Sequence, residues 1–358
     1  MEEEVPSYTL SEAIAEAKRC LKCKVPQCRT GCPIENDIPA FNAALSQGNI
    51  GEAYSIITLR SNLPAVCGRV CPHENQCEGH CIMNKAKKPP INIGRIERFI
   101  ADFEADYQLT KLKKVLKTQG KVAVIGSGPA GIACAGDLIK KGYEVTVFER
   151  DKDLGGVLMF GIPAFRLPKS VVRREMERLQ TLGVTFETGV TYGKDISLES
   201  LKADGYDAVF WGIGAGVTKK VGVPGEDAPG AVEALDFLHK AREFEEGTLE
   251  RSAVPVSDGD TVVVIGAGNV AMDACRMAVR MGAKHVIDCY RRTIEFMRAA
   301  HAEYDGAVKD GVEFRWEHVP VAFELKNGKV CGLRAKTPEG EVVVPANKVI
   351  AAIGSGPD

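Results

Sequence analysis

The hydrophobic pattern of the chain changes character about a third of the way along. In the first part, apolar positions recur with helical spacing. The segment SEAIAEAKRCLKC, which begins within the capping box formed by Thr9 and Glu12, predicts a helix that carries Cys20 and Cys23. Residues 36–62 have a similar apolar stripe, and INIGRIERFIADFEADY predicts a further helix. We therefore expect a helical N-terminal region.

Beyond the basic segment 109–120, which predicts a connector, strands and helices alternate. The stretch KVAVIGSGPAGIACAGDLIKKGYEVTVFER from Lys121 predicts a strand, a tight glycine turn, a helix and a strand. The stretch TVVVIGAGNVAMDACRMAVRMGAKHVIDCY repeats this pattern from Thr261. Between them, SVVRREMERLQTLG predicts a helix, and VTFETG and YDAVFWGIG predict strands. The expected fold class is multidomain, α followed by α/β, with two Rossmann-like nucleotide-binding domains.

Composition and charge exclude several classes of function. The 358 residues have a net charge of -2, which gives no reason to expect nucleic acid as a partner. No run of about 18 apolar residues occurs, so we expect no membrane span and no membrane partner. The N-terminal MEEEVPSYTL is acidic and polar rather than signal-like, which predicts a cytoplasmic protein. In that compartment, a dense block of cysteines indicates metal binding or catalysis rather than disulfides.

The first glycine turn has the surroundings of a dinucleotide-binding motif. Its G-x-G-x-x-G sequence follows an apolar strand, precedes a helix, and has an acid at the end of the next strand. Glycines there allow the backbone to approach a pyrophosphate, which the helix N-terminus would face. The alternative is an ordinary α/β turn without a ligand. The residues expected to contact the nucleotide are Gly126, Ser127, Gly128, Pro129, Ala130, Gly131, Glu149 and Arg150, with the Glu149 carboxylate on the adenosine ribose.

The second glycine turn differs from the first in the residues that follow its second strand. The turn residues expected to contact a nucleotide are Gly266, Gly268, Asn269, Val270 and Ala271. The strand HVIDCY then ends in Arg291 and Arg292 instead of an acid. A carboxylate at this place would favour NAD, whereas arginines can pair with the 2′-phosphate of NADP. The alternative is two solvated arginines at a strand end. We expect NADP(H) at this turn.

Two dinucleotide turns in one chain commonly bind a flavin and a nicotinamide cofactor that exchange a hydride. The chain has no Ser-His-Asp signature, no G-x-S-x-G and no H-E-x-x-H. We therefore expect an oxidoreductase without a catalytic side chain, because the flavin and the nicotinamide carry the chemistry.

The cysteine spacings are C-x2-C-x4-C-x3-C-P from Cys20 and C-x3-C-x5-C-x3-C from Cys67. Zinc sites favour two C-x2-4-C knuckles separated by a loop, and the first block begins in that way. A C-x-x-C run followed by C-P also occurs in cluster-binding ferredoxins. Eight cysteines could hold two iron–sulphur clusters, and a neighbouring flavin favours iron because zinc lacks redox levels. For His73 and His80, which lie among these cysteines, a structural role is the better prediction.

Several segments in a fixed order resemble one protein family. They are CLKCKVPQCRTGCP, LPAVCGRVCP, INIGRIERF, GSGPAG, FGIPAFRLPK and GAGNVAMDACR. Together they resemble the small (β) subunit of NADPH-dependent glutamate synthase, over nearly the whole chain. The chain is similar also to the large subunit of NADH-dependent ferredoxin:NADP oxidoreductase and to the N-terminal half of dihydropyrimidine dehydrogenase.

The resemblance implies two 4Fe-4S clusters whose ligands come from both cysteine blocks. One cluster would be held by Cys20, Cys23, Cys28 and Cys81, and the other by Cys32, Cys71, Cys77 and Glu97. Cys67 would then bind no iron. Spacing alone does not choose Glu97 over Cys67, and the plain interpretation of Glu97 is a surface charge on a helix. A carboxylate ligand is harder than a thiolate and would shift the potential of the cluster.

The resemblance also implies an FAD domain that is interrupted by an NAD(P)H domain. The expected boundaries are 1–110 for the helical iron–sulphur domain, 111–225 for the first part of the FAD domain, 226–350 for the NAD(P)H domain, and 351–358 for the start of the remaining part of the FAD domain. Residues expected along the flavin are Gly156, Val157, Leu158, Arg166 and Gly214, with Lys169 nearby.

Two features depart from the family pattern. The family continues well beyond AAIGSGPD, where this sequence stops, so we expect the FAD domain to be truncated at its C-terminus. The segment FMRAAHAEY stands where relatives usually have Met-Pro-Ala, so details of the nicotinamide site should differ.

The expected function is an oxidoreductase subunit that passes electrons from NADPH through FAD and two 4Fe-4S clusters to another protein. The partner implied is a glutamate synthase large subunit or a ferredoxin-type acceptor, in a hetero-oligomer. The alternatives are an electron-input subunit of the dihydropyrimidine dehydrogenase or ferredoxin:NADP oxidoreductase type, and a truncated, non-catalytic iron–sulphur docking module.

Overall fold

The structure is a computed structural model, and it describes residues 3–356. The helices are α1 (Leu10–Lys18), α2 (Gln27–Thr30), α3 (Ile38–Ser46), α4 (Ile50–Thr58), α5 (Pro64–Val70), α6 (Ile82–Lys85), α7 (Ile93–Tyr107), α8 (Pro129–Lys140), α9 (Val157–Phe160), α10 (Lys169–Leu182), α11 (Leu198–Ala203), α12 (Ala234–Glu245), α13 (Asn269–Arg280) and α14 (His301–Lys309). Short 3₁₀ turns lie at His73–Asn75, Arg251–Ala253 and Ile294–Phe296.

The strands all follow the helical region, as the sequence pattern predicted. They are β1 (Lys121–Ile125), β2 (Glu144–Glu149), β3 (Thr185–Thr188), β4 (Ala208–Trp211), β5 (Val217–Thr218), β6 (Ala231–Glu233), β7 (Thr261–Ile265), β8 (His285–Cys289), β9 (Glu313–Arg315), β10 (Val319–Lys326), β11 (Lys329–Thr337), β12 (Gly340–Pro345), β13 (Lys348–Ala351) and β14 (Ser355–Gly356).

The first helix begins where the capping box placed it. The Thr9 hydroxyl accepts from the Glu12 N–H at 3.3 Å, and the Glu12 carboxylate accepts from the Thr9 N–H at 2.8 Å. The helix ends at Lys18, however, so Cys20 and Cys23 lie in the loop after it and not on it, which corrects the prediction.

The apolar stripe over residues 36–62 forms two helices, α3 and α4. Gly48 separates them with a φ of 82°, in the left-handed region that favours glycine. The buried faces of α3, α4 and α7 supply the core of the helical region, with Phe41, Ile57 and Ile96 fully buried. Burial of such side chains is the main stabilising term for short helices.

The first α/β unit is a parallel sheet with strand order β3-β2-β1-β4. Its centre, β1, pairs with β2 from Lys121↔Glu144 to Ile125↔Phe148 and with β4 on its other side. The central strands are buried on both faces, as expected for a parallel sheet covered by helices. The glycine turn between β1 and α8 therefore lies at the carboxyl edge of the sheet, where ligands of such folds bind.

The second α/β unit is a five-stranded parallel sheet with order β6-β13-β7-β8-β9. A three-stranded antiparallel sheet, β10-β11-β12, is inserted between β9 and β13. The strands β5 and β14 pair antiparallel, so the chain enters and leaves this region side by side. The second glycine turn joins β7 to α13 at the carboxyl edge of the sheet.

The chain divides into two compact units. One contains the helical region and the first sheet, up to residue 159 and again over 164–214. The other contains residues 160–163 and the chain from 215 onward, with the second sheet. In the part of the chain that the structure describes, no helix is both long and apolar enough to cross a membrane.

Candidate functional site

Four cysteines from the two blocks line one cavity in the helical region. Cys20 and Cys23 come from the loop after α1, Cys28 from α2, and Cys81 from the residue that precedes α6. These are the four residues that the family resemblance assigns to one cluster. The structure brings Cys81 back beside the first block because α7 and the loop before it pack against the N-terminal helices.

The rest of this cavity is mostly apolar, with Ile38, Ile91 and Ile93 among its walls, and it also includes Gln27 and Asn42. Burial among these side chains raises the pKa of the Cys28 thiol to about 11 and also raises the pKa of Cys20. Within residues 3–356, no three His, Cys, Asp or Glu side chains converge closely enough to hold one metal ion. The four thiols line one shared cavity, and four thiolates, one on each iron, are the ligand set that a 4Fe-4S cluster takes.

The second predicted cluster site gathers around Cys77. Burial raises the pKa of the Cys77 thiol, and the charges of Glu78, Glu97 and Cys32 raise it further, so these groups lie near it. Cys71 lies where α5 ends, and Glu97 lies on α7. Glu97 is buried, and this burial raises the pKa of its carboxyl well above the usual range. The surface-charge interpretation of Glu97 is therefore wrong.

Cys67 lies in the same neighbourhood. A hydrogen bond with Cys71 and burial raise the pKa of its thiol, and the Ser61 hydroxyl donates to its Sγ atom at 3.9 Å. The charge of Cys67 also acts on Glu97. Both Cys67 and Glu97 therefore lie at the second predicted cluster site. Glu97 as the fourth ligand of that cluster stays a prediction.

The first glycine turn is shaped for close contact with a ligand. An ideal Cβ at Gly131 would lie 1.9 Å from the Gly126 carbonyl oxygen, and one at Gly126 would lie 2.5 Å from the Gly212 oxygen. These two glycines allow the helix, the turn and β4 to pack together. A Cβ at Gly128 would meet nothing within 4 Å, so this position faces open space. No side chain caps α8, whose first N–H groups remain directed toward that space.

Glu149 has a role that the sequence did not reveal. It is buried at the end of β2, and its Oε2 atom accepts from the Ser127 N–H at 2.8 Å and from the Ser127 hydroxyl at 2.5 Å. The Ser127 hydroxyl in turn accepts from the Gly155 N–H at 3.0 Å. Ribose binding by Glu149 stays a prediction, and the structure adds that its carboxylate braces the glycine turn. Arg150 is exposed beside it.

The other residues predicted along the flavin lie close to this turn or follow β4. An ideal Cβ at Gly156 would lie 2.9 Å from the Gly128 Cα, which places the start of α9 against the turn. Leu158 is buried, whereas Val157 is exposed. Lys169 is buried, and its ammonium donates to the Leu158 carbonyl at 2.8 Å. The remaining positions are Pro129 and Ala130, exposed at the start of α8, Arg166, half-buried before α10, and Gly214, exposed after β4.

The second glycine turn repeats the geometry of the first with one difference. An ideal Cβ at Gly266 would lie 2.5 Å from the Ala352 oxygen, so a glycine is required there. Gly268 faces open space, and no side chain caps α13. The third position is Ala271, which is fully buried. Val270 is half-buried, and the Asn269 side-chain oxygen accepts from the Ala300 N–H at 2.9 Å.

The arginines after β8 are exposed, as a role in phosphate binding requires. Arg291 and Arg292 both face solvent, and the Arg292 guanidinium lies 5.5 Å from the centre of the Phe296 ring. The Tyr290 hydroxyl donates to the Phe296 carbonyl at 3.0 Å, which folds this segment back on itself. The fold thus presents two cations next to an open glycine turn.

Two family models match this chain, one over the region of the cysteine cavity and one over the region of the two glycine turns. Residues 1–109 match the model described as dihydropyrimidine dehydrogenase domain II, 4Fe-4S cluster. Residues 120–358 match the pyridine nucleotide-disulphide oxidoreductase family. Together with the cysteine cavity and the two open glycine turns, these matches define the class: a pyridine-nucleotide oxidoreductase with an N-terminal 4Fe-4S domain.

The chain belongs to the glutamate synthase small-chain family. It is 39% identical over 372 residues to the glutamate synthase (NADPH) small chain of Escherichia coli, an alignment that covers 98% of this chain and 78% of the relative. It is 34% identical over 354 residues to the NAD-dependent dihydropyrimidine dehydrogenase subunit PreT of Escherichia coli, covering 99% of this chain and 82% of that protein.

Solved structures agree on the fold. The Mycobacterium tuberculosis oxidoreductase FprA in complex with NADPH aligns with a TM-score of 0.52 at 21% identity, over 66% of this chain and 71% of FprA. A 2-naphthoyl-CoA reductase aligns with a TM-score of 0.57 at 17% identity, over 89% of this chain and 43% of that chain. The chain is an NAD(P)H-dependent flavoprotein oxidoreductase, and the expected cofactor types, 4Fe-4S, FAD and NADP(H), are confirmed.

Proposed function

We propose that this chain is an electron-input subunit that takes electrons from NADPH and delivers them singly to a protein partner. The observation that carries this proposal is a cavity lined by four thiols in the same chain as two open glycine turns. When bound, FAD exchanges hydride with the nicotinamide, and 4Fe-4S clusters carry single electrons.

The residues of the chain would hold and separate these cofactors. The open N-terminus of α8 would bind the pyrophosphate of FAD, and Glu149 would keep the glycine turn rigid. The open N-terminus of α13 would bind NADPH, with Arg291 and Arg292 on its 2′-phosphate. Two clusters would use the ligand sets given above, with Glu97 as the only carboxylate ligand.

The proposed domain order is an iron–sulphur domain, an FAD domain and an NAD(P)H domain inserted into it. This arrangement is supported by the pairing of β5 with β14, which returns the chain beside the point where it entered the second sheet. We further propose a cytoplasmic location. The proposed partner is a glutamate synthase large subunit or a ferredoxin-type acceptor, in a hetero-oligomer.

A second candidate is the electron-input subunit of a dihydropyrimidine dehydrogenase. The similarity to PreT over 82% of its length supports it. The two candidates differ in the partner and not in the sites of this chain. Identification of the protein that purifies with the chain from its source distinguishes them.

Anaerobic purification tests the proposal. We expect a flavin, about eight irons in two 4Fe-4S clusters, and a visible spectrum that NADPH bleaches faster than NADH does. Zinc in place of iron, or a spectrum that neither nucleotide changes, would contradict it.

A further inference from the structure

Exposed lysines lie next in sequence to thiols of the first cysteine cavity. Two segments carry both the thiols and the cations: one contains Cys20 and Cys23, and the other follows Cys81. The guanidinium of Arg19 donates to the carbonyls of Pro89 and Pro90 at 2.7 and 3.3 Å, so the two segments lie together. The exposed lysines of these segments are Lys18, Lys22, Lys24, Lys85, Lys87 and Lys88, here called the basic rim.

The positive charge of the basic rim is not neutralised by the protein itself. None of its six lysines forms a salt bridge within residues 3–356. The arginines of the first segment are already paired, Arg19 with Glu16 at 2.6 Å and Arg29 with Asp37 at 3.6 Å. Since the whole chain has a net charge of -2, this surface is a local positive region on a slightly acidic protein.

Two large apolar side chains stand inside the basic rim. Leu21 is 63% exposed and Val25 is 72% exposed. Leu21 also lines the cysteine cavity, so the same side chain contacts the interior of the site and the solvent. An apolar centre within a charged border is the usual composition of a protein interface.

We propose that the basic rim, with Leu21 and Val25 at its centre, docks the acidic surface of a one-electron carrier protein. This inference rests on the proposed function and specifies where the partner binds. Electron transfer between proteins requires a short distance, and the rim lies on the two segments that carry thiols of this cavity, where Leu21 both lines the cavity and is exposed. Complementary charge would raise the rate of encounter and orient the two proteins.

The test is binding of the anaerobically loaded full chain to a strongly acidic 2Fe-2S ferredoxin. The variant is Lys22→Glu/Lys24→Glu/Lys85→Glu, and the matched control is Lys141→Glu/Lys194→Glu/Lys202→Glu, which reverses three exposed lysines of the first sheet region. We expect affinity for the wild type to fall as salt rises, and the triple variant to bind about ten-fold more weakly or worse. The control should bind like the wild type.

Three results would overturn this inference. They are equal binding by the triple variant and the wild type, equal losses in the variant and the control, and no preference for the acidic ferredoxin over a basic one. If these occur while NADPH still bleaches the flavin and the clusters, the proposed function stands and only the docking site is wrong. Failure of the chain to load iron or flavin would instead overturn the proposed function.

Discussion

Asp288 is a buried carboxyl group in the second α/β unit. It lies on β8, and the Cys275 thiol of α13 donates to its Oδ2 atom at 3.6 Å. Within the described residues, its Oδ1 atom has no hydrogen-bond partner. Burial raises the pKa of the Asp288 carboxyl well above its usual range, so this group is protonated in the folded protein under conditions that ionise it in the unfolded chain.

This raised pKa makes the stability of the unit depend on pH. The contribution of the protonated Asp288 carboxyl to folding stability is fully present below its pKa in the unfolded chain, about 3.9. This contribution is lost as pH rises toward the pKa of the group in the folded protein. Asp288→Asn keeps the shape of the side chain and cannot ionise. We therefore expect its melting temperature, relative to the wild type, to increase from about pH 5 to about pH 8.

Thermal unfolding at several pH values checks this prediction. Asp305→Asn is the matched control, because Asp305 is exposed on α14. A difference between Asp288→Asn and the wild type that stays constant across the pH range would contradict it.

Single residues were predictable where their chemistry is local and not where it depends on distant partners. The glycines of both turns follow from the strand, turn and helix around them. The second predicted cluster site, around Cys77, is different, because Glu97 approaches Cys77 only when α7 packs into the helical region. The brace from Glu149 through Ser127 to Gly155 was missed for the same reason, since it joins three separate segments.

At the scale of elements, two glycines of the first turn separate an effect on binding from an effect on folding. Gly128→Ala adds a methyl group to open space at a φ of -66°, which alanine adopts without strain. We expect this variant to fold with wild-type iron content and to lose FAD, because the methyl group occupies the approach to the pyrophosphate.

For Gly131→Ala we expect the loss of folding stability to be the primary effect. Its Cβ would lie 1.9 Å from the Gly126 oxygen, so the junction of β1 and α8 must shift, at a cost of about 3 kcal/mol. Flavin content and denaturant unfolding of both variants measure the difference. Equal destabilisation by the two substitutions, or full FAD retention in Gly128→Ala, would show that the turn does not bind the pyrophosphate.

Element boundaries were less predictable than element types. The strand, turn, helix and strand that begin at Lys121 and again at Thr261 appear as the hydrophobic pattern indicated, whereas the antiparallel sheet β10-β11-β12 was not predicted. The first helix stops at Lys18 although its periodic pattern continues, and the loop after it, in which Lys22 adopts a φ of 50°, brings Cys20 and Cys23 to the cysteine cavity. Hydrophobic periodicity alone does not show where a helix ends and a loop begins.

At the scale of the whole molecule, long-range assembly was the part that residue patterns left open. The cysteine spacing permitted either zinc or iron–sulphur clusters. It did not show which other cysteines share a metal site with Cys28 or with Cys32. The fold brings Cys81 beside Cys20, Cys23 and Cys28 although the helices between them intervene in sequence. Family resemblance supplied this grouping in advance because it carries information about tertiary contacts that a single periodic pattern lacks.

The central claim is that NADPH reduces two separate clusters, with Cys23 and Cys32 serving different ones. Quantitative EPR of the anaerobic full chain after NADPH addition tests it, on the wild type, Cys23→Ser and Cys32→Ser. We expect two reduced-cluster signals in the wild type and one in each variant, with a different signal retained in each. Loss of the same signal in both variants, or no cluster signal after NADPH in the wild type, would contradict the claim.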